Sequence, residues 1–200
     1  MALPTGLGMA LSVAAFRLDI YLLNALTDPG SVGLYAAAYR LFEAGQFVPA
    51  VVLMVLFPRL AAEDAGSRAG RRLRLTALAT LALAGAGVAA VGWLIARPLV
   101  SLFYGSGFEG AAAPLGLLFW ATPPMFVNFL LTHDLIARAR ERRFAAIAGS
   151  SLVLNGALNL LAIPRYGARG AAMVTVVTET ALLVGAVVAL RGSSSAPAPR

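Results

Sequence analysis

The chain has 200 residues, 60% of them hydrophobic and only 12% charged, with a mean hydropathy of +0.81. That composition excludes a water-soluble domain of this size and describes a polytopic membrane protein. The net charge of +7 comes from sixteen basic residues, all arginine, which fall mostly in short loops between apolar runs; this pattern fits orientation in a bilayer and not a nucleic-acid surface. Without cysteine there are no disulfides, thiolate metal sites or cysteine nucleophiles, and a single histidine cannot build a histidine metal cluster. No metal or other cofactor is expected.

Six segments approach the ~20 apolar residues that a hydrocarbon core requires. In chain order they run over residues 3–26, 31–57, 73–96, 112–135, 144–163 and 168–190. The start, MALPTGLGMALSVAAF, lacks a basic region and reads as the beginning of a spanning helix and not as a cleaved signal. The first two segments meet at the turn Thr27-Asp28-Pro29-Gly30 and carry Arg17, Asp19, Arg40 and Glu43 inside apolar sequence. Arg17 and Arg40 sit at matching distances from the turn, about 13 Å below one membrane surface at a rise of 1.5 Å per residue. Pro49 in the second segment and Pro123-Pro124 in the fourth predict bends, because proline removes a backbone donor and crowds the preceding turn. The third segment is rich in alanine and glycine, the composition of close helix packing. Residues 192–200, GSSSAPAPR, hold too little apolar content to fold and are expected to form a disordered cytoplasmic tail.

Eleven arginines follow the second, fourth and sixth segments, whereas the opposite loops hold only Arg97, Arg165 and Arg169. Positive-inside bias then predicts both termini in the cytoplasm. Within the segments, Arg40 and Glu43 share a helix face, whereas Arg17 and Asp19, two residues apart, diverge. The arginines can form a cationic patch for an anionic headgroup, balanced by the carboxylates when empty, or the cluster can serve only to fix helix register. Glu179 is a further acid near the middle of the sixth segment. Asn155 and Asn159 read as interhelical hydrogen-bonding residues, and His133 and Asp134, beside Arg138, as a solvated cluster. The run RARERR (residues 138–143) reads as a topogenic loop that can touch anionic lipid. Tyr21, Tyr35, Tyr39, Trp93, Tyr104 and Tyr166 read as interfacial anchors. No P-loop, nucleophile elbow or zincin motif occurs, so an enzyme is not expected.

Three stretches carry a resemblance: RLDIYLLNALTDPGSVGLYAAAYRLFEAGQFVPAVVLMVLFPRLA, LVSLFYGSGFEGAAAPLGLL, and NLLAIPRYGARGAAMVTVVTE. Together they resemble the polysaccharide-biosynthesis (Wzx-type) flippases of the MOP superfamily, which includes the MATE exporters. That family is built from two six-helix lobes around a central cavity, and the motif order here looks like the second lobe alone. The resemblance implies an all-α bundle of six transmembrane helices (residues 1–191) in a bacterial inner membrane, with both termini cytoplasmic. It implies flipping of a polyprenyl-diphosphate-linked oligosaccharide in concert with a second six-helix lobe, from a separate chain or a second copy, unless the chain is partial. Arg17, Arg40, Asp19, Glu43 and Glu179 become candidate substrate-binding residues. The alternatives are a MATE-like, cation-coupled multidrug antiporter lobe and a non-transporting membrane subunit or inactive fragment. Nucleic acid is not an expected partner; membrane lipid is.

Overall fold

The structure is a computed structural model that describes residues 2–45, 47, 49–52, 54–55, 67–137 and 140–191. Among these residues it is all-helical, without strands. In chain order it comprises α1 (Ala2–Leu26), α2 (Pro29–Ala44), α3 (Arg68–Tyr104), a 3-10 turn (Ser106–Ala111), α4 (Ala112–Phe119), α5 (Thr122–Ala137) and α6 (Glu141–Arg191). Three stretches are long and apolar enough to cross a membrane: Gly6–Leu26, Arg68–Tyr104 and Glu141–Leu190. The bent pair Ser106–Phe119 and Thr122–Ala137 makes a fourth if it is one span. α2 has 16 residues, too few on its own. The expected second span continues through helical residues 47, 49–52 and 54–55, and its end lies outside the described residues, as do Arg59, Arg138 and the tail.

The first turn follows directly from its residues. Asp28 caps α2 from an extended backbone, accepting hydrogen bonds from the Ser31 amide at 3.0 Å and the Ser31 hydroxyl at 2.6 Å, while Pro29 occupies a first-turn position that needs no amide donor. These bonds hold the Asp28 carboxyl below the usual carboxylate range. Because the folded value is the lower one, the cap's contribution is full above the unfolded carboxylate value and is lost as pH falls through the folded value.

The bend expected at Pro123-Pro124 is a 46° break at Trp120 and Ala121. Pro123 has no N–H for the Phe119 carbonyl, and the Thr122 hydroxyl supplies that donor at 2.7 Å. The same hydroxyl lies 2.8 Å from the Gly85 carbonyl on α3, so the break is tied to its neighbour. The buried positions of α3, among them Ala77, Leu81, Gly85, Ala89, Gly92, Ala96 and Val100, recur every three or four residues and form one stripe. Phe119 packs flat on Gly92, and the Thr122-Pro123 backbone packs on Gly85, which is what the small-residue composition predicts.

The fifth and sixth predicted segments form the single long element α6, which contains Pro164 and one non-helical residue, Gly167, at φ 54° and ψ −134°. A positive φ with that ψ is accessible to glycine and strained for other residues. The chain folds back there into two antiparallel limbs. The Arg143 guanidinium donates to the Ala189 carbonyl at 2.8 Å, and the Asn155 amide to the Thr178 hydroxyl at 3.4 Å; Ile147 faces Gly185 and Ala162 faces Gly170. α1 packs mainly along this hairpin, with Gly8 against Phe144. The start of α1 and both limb ends of α6 therefore lie at one end of the bundle. At the other end the 3-10 turn meets α2, with Gly110 against Leu34.

Candidate functional site

The most polar interior region lies between α1, α2 and the α6 hairpin. Asp19 is 3% exposed, although it sits on a helix whose remaining surface is almost entirely apolar. Its carboxylate accepts hydrogen bonds from the Tyr35 hydroxyl of α2 and from the Ile20 amide. Tyr35 is fully buried. Both residues lie eight positions from Thr27, one on each side, so the helical hairpin brings them level.

Asp19 and Glu179 line one cavity of about 100 Å³, together with Ser12, Tyr39, Ser151, Asn155, Thr175 and Thr178. No cationic side chain lines it among the described residues. Glu179, partly buried, is positioned from α5: the Asn128 side-chain amide donates to its carboxylate at 2.8 Å and to its backbone carbonyl at 2.9 Å. Asn159 donates to the Asn155 side-chain oxygen at 2.9 Å. The side-chain oxygens of Asn128 and Asn159 are buried without a hydrogen-bond partner among the described residues. The cavity thus offers two carboxylates and several hydroxyl oxygens, ligands suited to a proton or a hard cation. Among the described residues no group of three or more histidine, aspartate and glutamate side chains could hold a metal ion.

Among the described residues, the structure does not bring Arg17, Asp19, Arg40 and Glu43 into one cavity. Arg17 pairs across the α1–α2 hairpin with Glu43 at 3.0 Å, with side chains 50% and 32% exposed, and its guanidinium lies 5.9 Å from the Tyr39 ring centre. The pair stands outside the cavity, behind the tyrosine that forms part of its wall. Arg40, one turn before Glu43, is exposed and has no ion-pair partner among the described residues. Helical geometry explains the split. Arg17 and Asp19 diverge by two residues, so only the aspartate turns toward α6.

Other assignments also change. Tyr35 and Tyr39 are buried, packed at 5.6 Å ring to ring; they are interior donors and walls, not interfacial anchors, whereas Tyr21, Trp93 and Tyr166 are exposed. Asp134 pairs with Arg74 of α3 at 3.4 Å, and the exposed His133 stacks on Phe129. Arg140 and Arg143 donate to the last carbonyls of α6, so part of the basic loop caps a helix C-terminus where cations are favoured. Asn155 makes the expected hydrogen bond between helical limbs, to Thr178, and Asn159 bonds to Asn155. The contributions of Asn128, Ser12, Ser151 and Thr175 have no sequence signal, since isolated polar residues in apolar helices are common.

No protein-family model, curated protein or solved structure matches this chain.

Proposed function

We propose that this chain is one lobe of a membrane transporter that flips a polyprenyl-diphosphate-linked glycan, driven by a proton or alkali cation bound between α1 and α6. The observation that carries the reading is the segregation of charge. Two carboxylates, Asp19 and Glu179, line an interior cavity that no cationic side chain lines among the described residues, while Arg17 and Arg40 lie outside it on the α1–α2 flank. A small cation fits the first group, and a diphosphate fits the second, where guanidinium forks grip phosphate oxygens in pairs. Charges embedded in apolar helices face an aqueous cavity or a protein partner in preference to lipid, and a second six-helix lobe opposite α1 and α2 would provide both. With α6 taken as two passes, and with α2 and the helical residues after it as one, the chain crosses the bilayer six times. The arginine asymmetry orients both termini to the cytoplasm.

A second reading, a MATE-like antiporter lobe, is favoured by the acids of the same cavity, which suit a cationic cargo. The two separate in proteoliposomes. Flipping of a fluorescent polyprenyl-diphosphate oligosaccharide is expected from the assembled transporter, and the double variant Arg17→Ala/Arg40→Ala is expected to abolish it with insertion intact. Arg40→Lys should restore only part, since it keeps the charge without the planar fork. Unchanged flipping in the double variant would remove the diphosphate site, and efflux of a lipophilic cation by that variant would support the antiporter.

The topology has its own test, made clean by the absence of native cysteine. Single cysteines at the exposed positions Ala69 and Ser106 are expected to differ toward an impermeant thiol reagent added outside. Ser106→Cys should react and Ala69→Cys should not; the opposite labelling pattern would invert the orientation.

A further inference from the structure

The end of the bundle opposite the arginine-rich loops holds just three arginines in its loops and helix ends, Arg97, Arg165 and Arg169. Two of them converge. Arg97 of α3 and Arg169 at the start of the second α6 limb line one concavity of about 360 Å³ with Glu109 of the 3-10 turn, over a floor that includes Gly116 and Trp93. Arg97, Glu109 and Ser101 also line an adjoining space of about 350 Å³, so the polar region is continuous around Arg97. These volumes fall in the range of small-molecule sites. Neither arginine has an ion-pair or hydrogen-bonding partner among the described residues, and Glu109 is within ion-pair distance of neither. Immediately beside them the surface turns apolar: Trp93, Leu94, Leu102 and Phe103 of α3 are all more than half exposed.

We propose that this concavity binds the headgroup of a phospholipid carrying a primary ammonium, of the phosphatidylethanolamine type, at the membrane surface opposite the arginine-rich loops. Positive-inside orientation does not account for arginines on this side, still less for their convergence from helices some seventy residues apart in sequence (169 − 97 = 72). Two guanidinium groups offer paired donors to one phosphodiester. Glu109 on the same wall would weaken binding of a purely anionic ligand, but it supplies the acceptor that a primary ammonium needs. Trp93 sits where amphipathic aromatic rings hold the headgroup level, and the exposed apolar residues of α3 continue along the path that acyl chains would follow. The proposal requires membrane insertion and is independent of what, if anything, the protein transports.

Native mass spectrometry of the full chain, released from nanodiscs of mixed phosphatidylethanolamine, phosphatidylglycerol and phosphatidylcholine, tests it directly. The wild type is expected to retain phosphatidylethanolamine in preference to the other two. Arg97→Gln and Arg169→Gln should each lower retention about fivefold, and the double variant about thirtyfold, the scale expected for one basic residue each near a lipid surface. Arg68→Gln, at the other end of the bundle, should have no effect. Glu109→Gln should remove the preference for phosphatidylethanolamine over phosphatidylglycerol while keeping phospholipid bound; this variant decides the matter if the arginine double variant fails to insert. Retention unaltered by the double variant, or a lipid preference unaltered by Glu109→Gln, would overturn the proposal. So would displacement of the lipid by millimolar inorganic phosphate, which would identify the ligand as free phosphate.

Discussion

Under the proposed function as a cation-coupled flippase lobe, Asp19→Asn is expected to eliminate the cation dependence of transport while leaving membrane insertion and helical content as in the wild type. The Ile20 amide and the Tyr35 hydroxyl bond different carboxylate oxygens of Asp19. Asparagine keeps the volume and one acceptor oxygen for the Ile20 amide, and its side-chain NH2 can donate to the Tyr35 hydroxyl, which accepts as well as donates. What it removes is the charge facing Glu179 across the cavity. Coupling between an ion and a cargo typically amounts to a ~5- to 150-fold change in affinity. That affinity coupling should be lost in the variant, and with it the stimulation of flipping by an imposed proton or sodium gradient. Asp19→Leu is the control for structure: it leaves the buried Tyr35 hydroxyl without its acceptor, a loss of about 1–3 kcal/mol, and should lower stability as well as transport. Gradient-stimulated flipping that survives Asp19→Asn would place the coupling site elsewhere in the bundle.

A large effect on stability is expected at α3. A Cβ on Gly85 would lie 2.7 Å from the Pro123 Cα and 2.9 Å from the Thr122 carbonyl oxygen, both backbone atoms that cannot turn aside as a side chain would. Gly85→Ala must push α3 and the α4–α5 break apart, with strain of about 1–3 kcal/mol and lengthening of the hydrogen bond from Thr122 to the Gly85 carbonyl. Two residues on, Gly87 faces open space, with nothing within 4 Å of an added Cβ. There alanine should be neutral or stabilising by up to ~1 kcal/mol, because glycine is the more costly residue in a helix interior. Thermal unfolding in detergent of the two single variants gives the comparison. Equal midpoints for Gly85→Ala and Gly87→Ala would mean that α3 and the break do not pack as closely as described.

Segments with a strong periodic or compositional signal were legible without the structure. The apolar length of residues 3–26 and 73–96, the bend at Pro123-Pro124 and the turn at Asp28-Pro29 all depend on chemistry within a few residues of themselves: apolar run length, a missing backbone donor, a side chain reaching the next helix's amides. α3 runs beyond its expected end at residue 96, through Pro98 to Tyr104. An apolar count marks where a hydrocarbon core would end, and hydrogen bonding continues past that point until Gly105, at φ 76°, stops it. The division of residues 141–191 was likewise legible as two apolar segments, 144–163 and 168–190, whereas the turn at Gly167 that folds them into antiparallel limbs came only from the structure.

The sequence by itself determined that the chain is helical and apolar enough for membranes, and that Asp19, Glu179, Arg17, Arg40 and Glu43 are the ionisable groups inside its apolar runs. Only the tertiary structure decided their company. Asp19 and Glu179 come from helices 160 residues apart (179 − 19), and they meet because α1 packs along the α6 hairpin. Arg17 and Glu43 meet outside that cavity because a two-residue step on α1 rotates Arg17 away from Asp19. Spacing along one helix fixes which residues share a face; it carries no information about which other helix that face will meet. Pairing between helices depends on the fit of small-residue stripes such as that of α3 and on turns such as Gly167, contacts that exist only once the whole bundle has assembled.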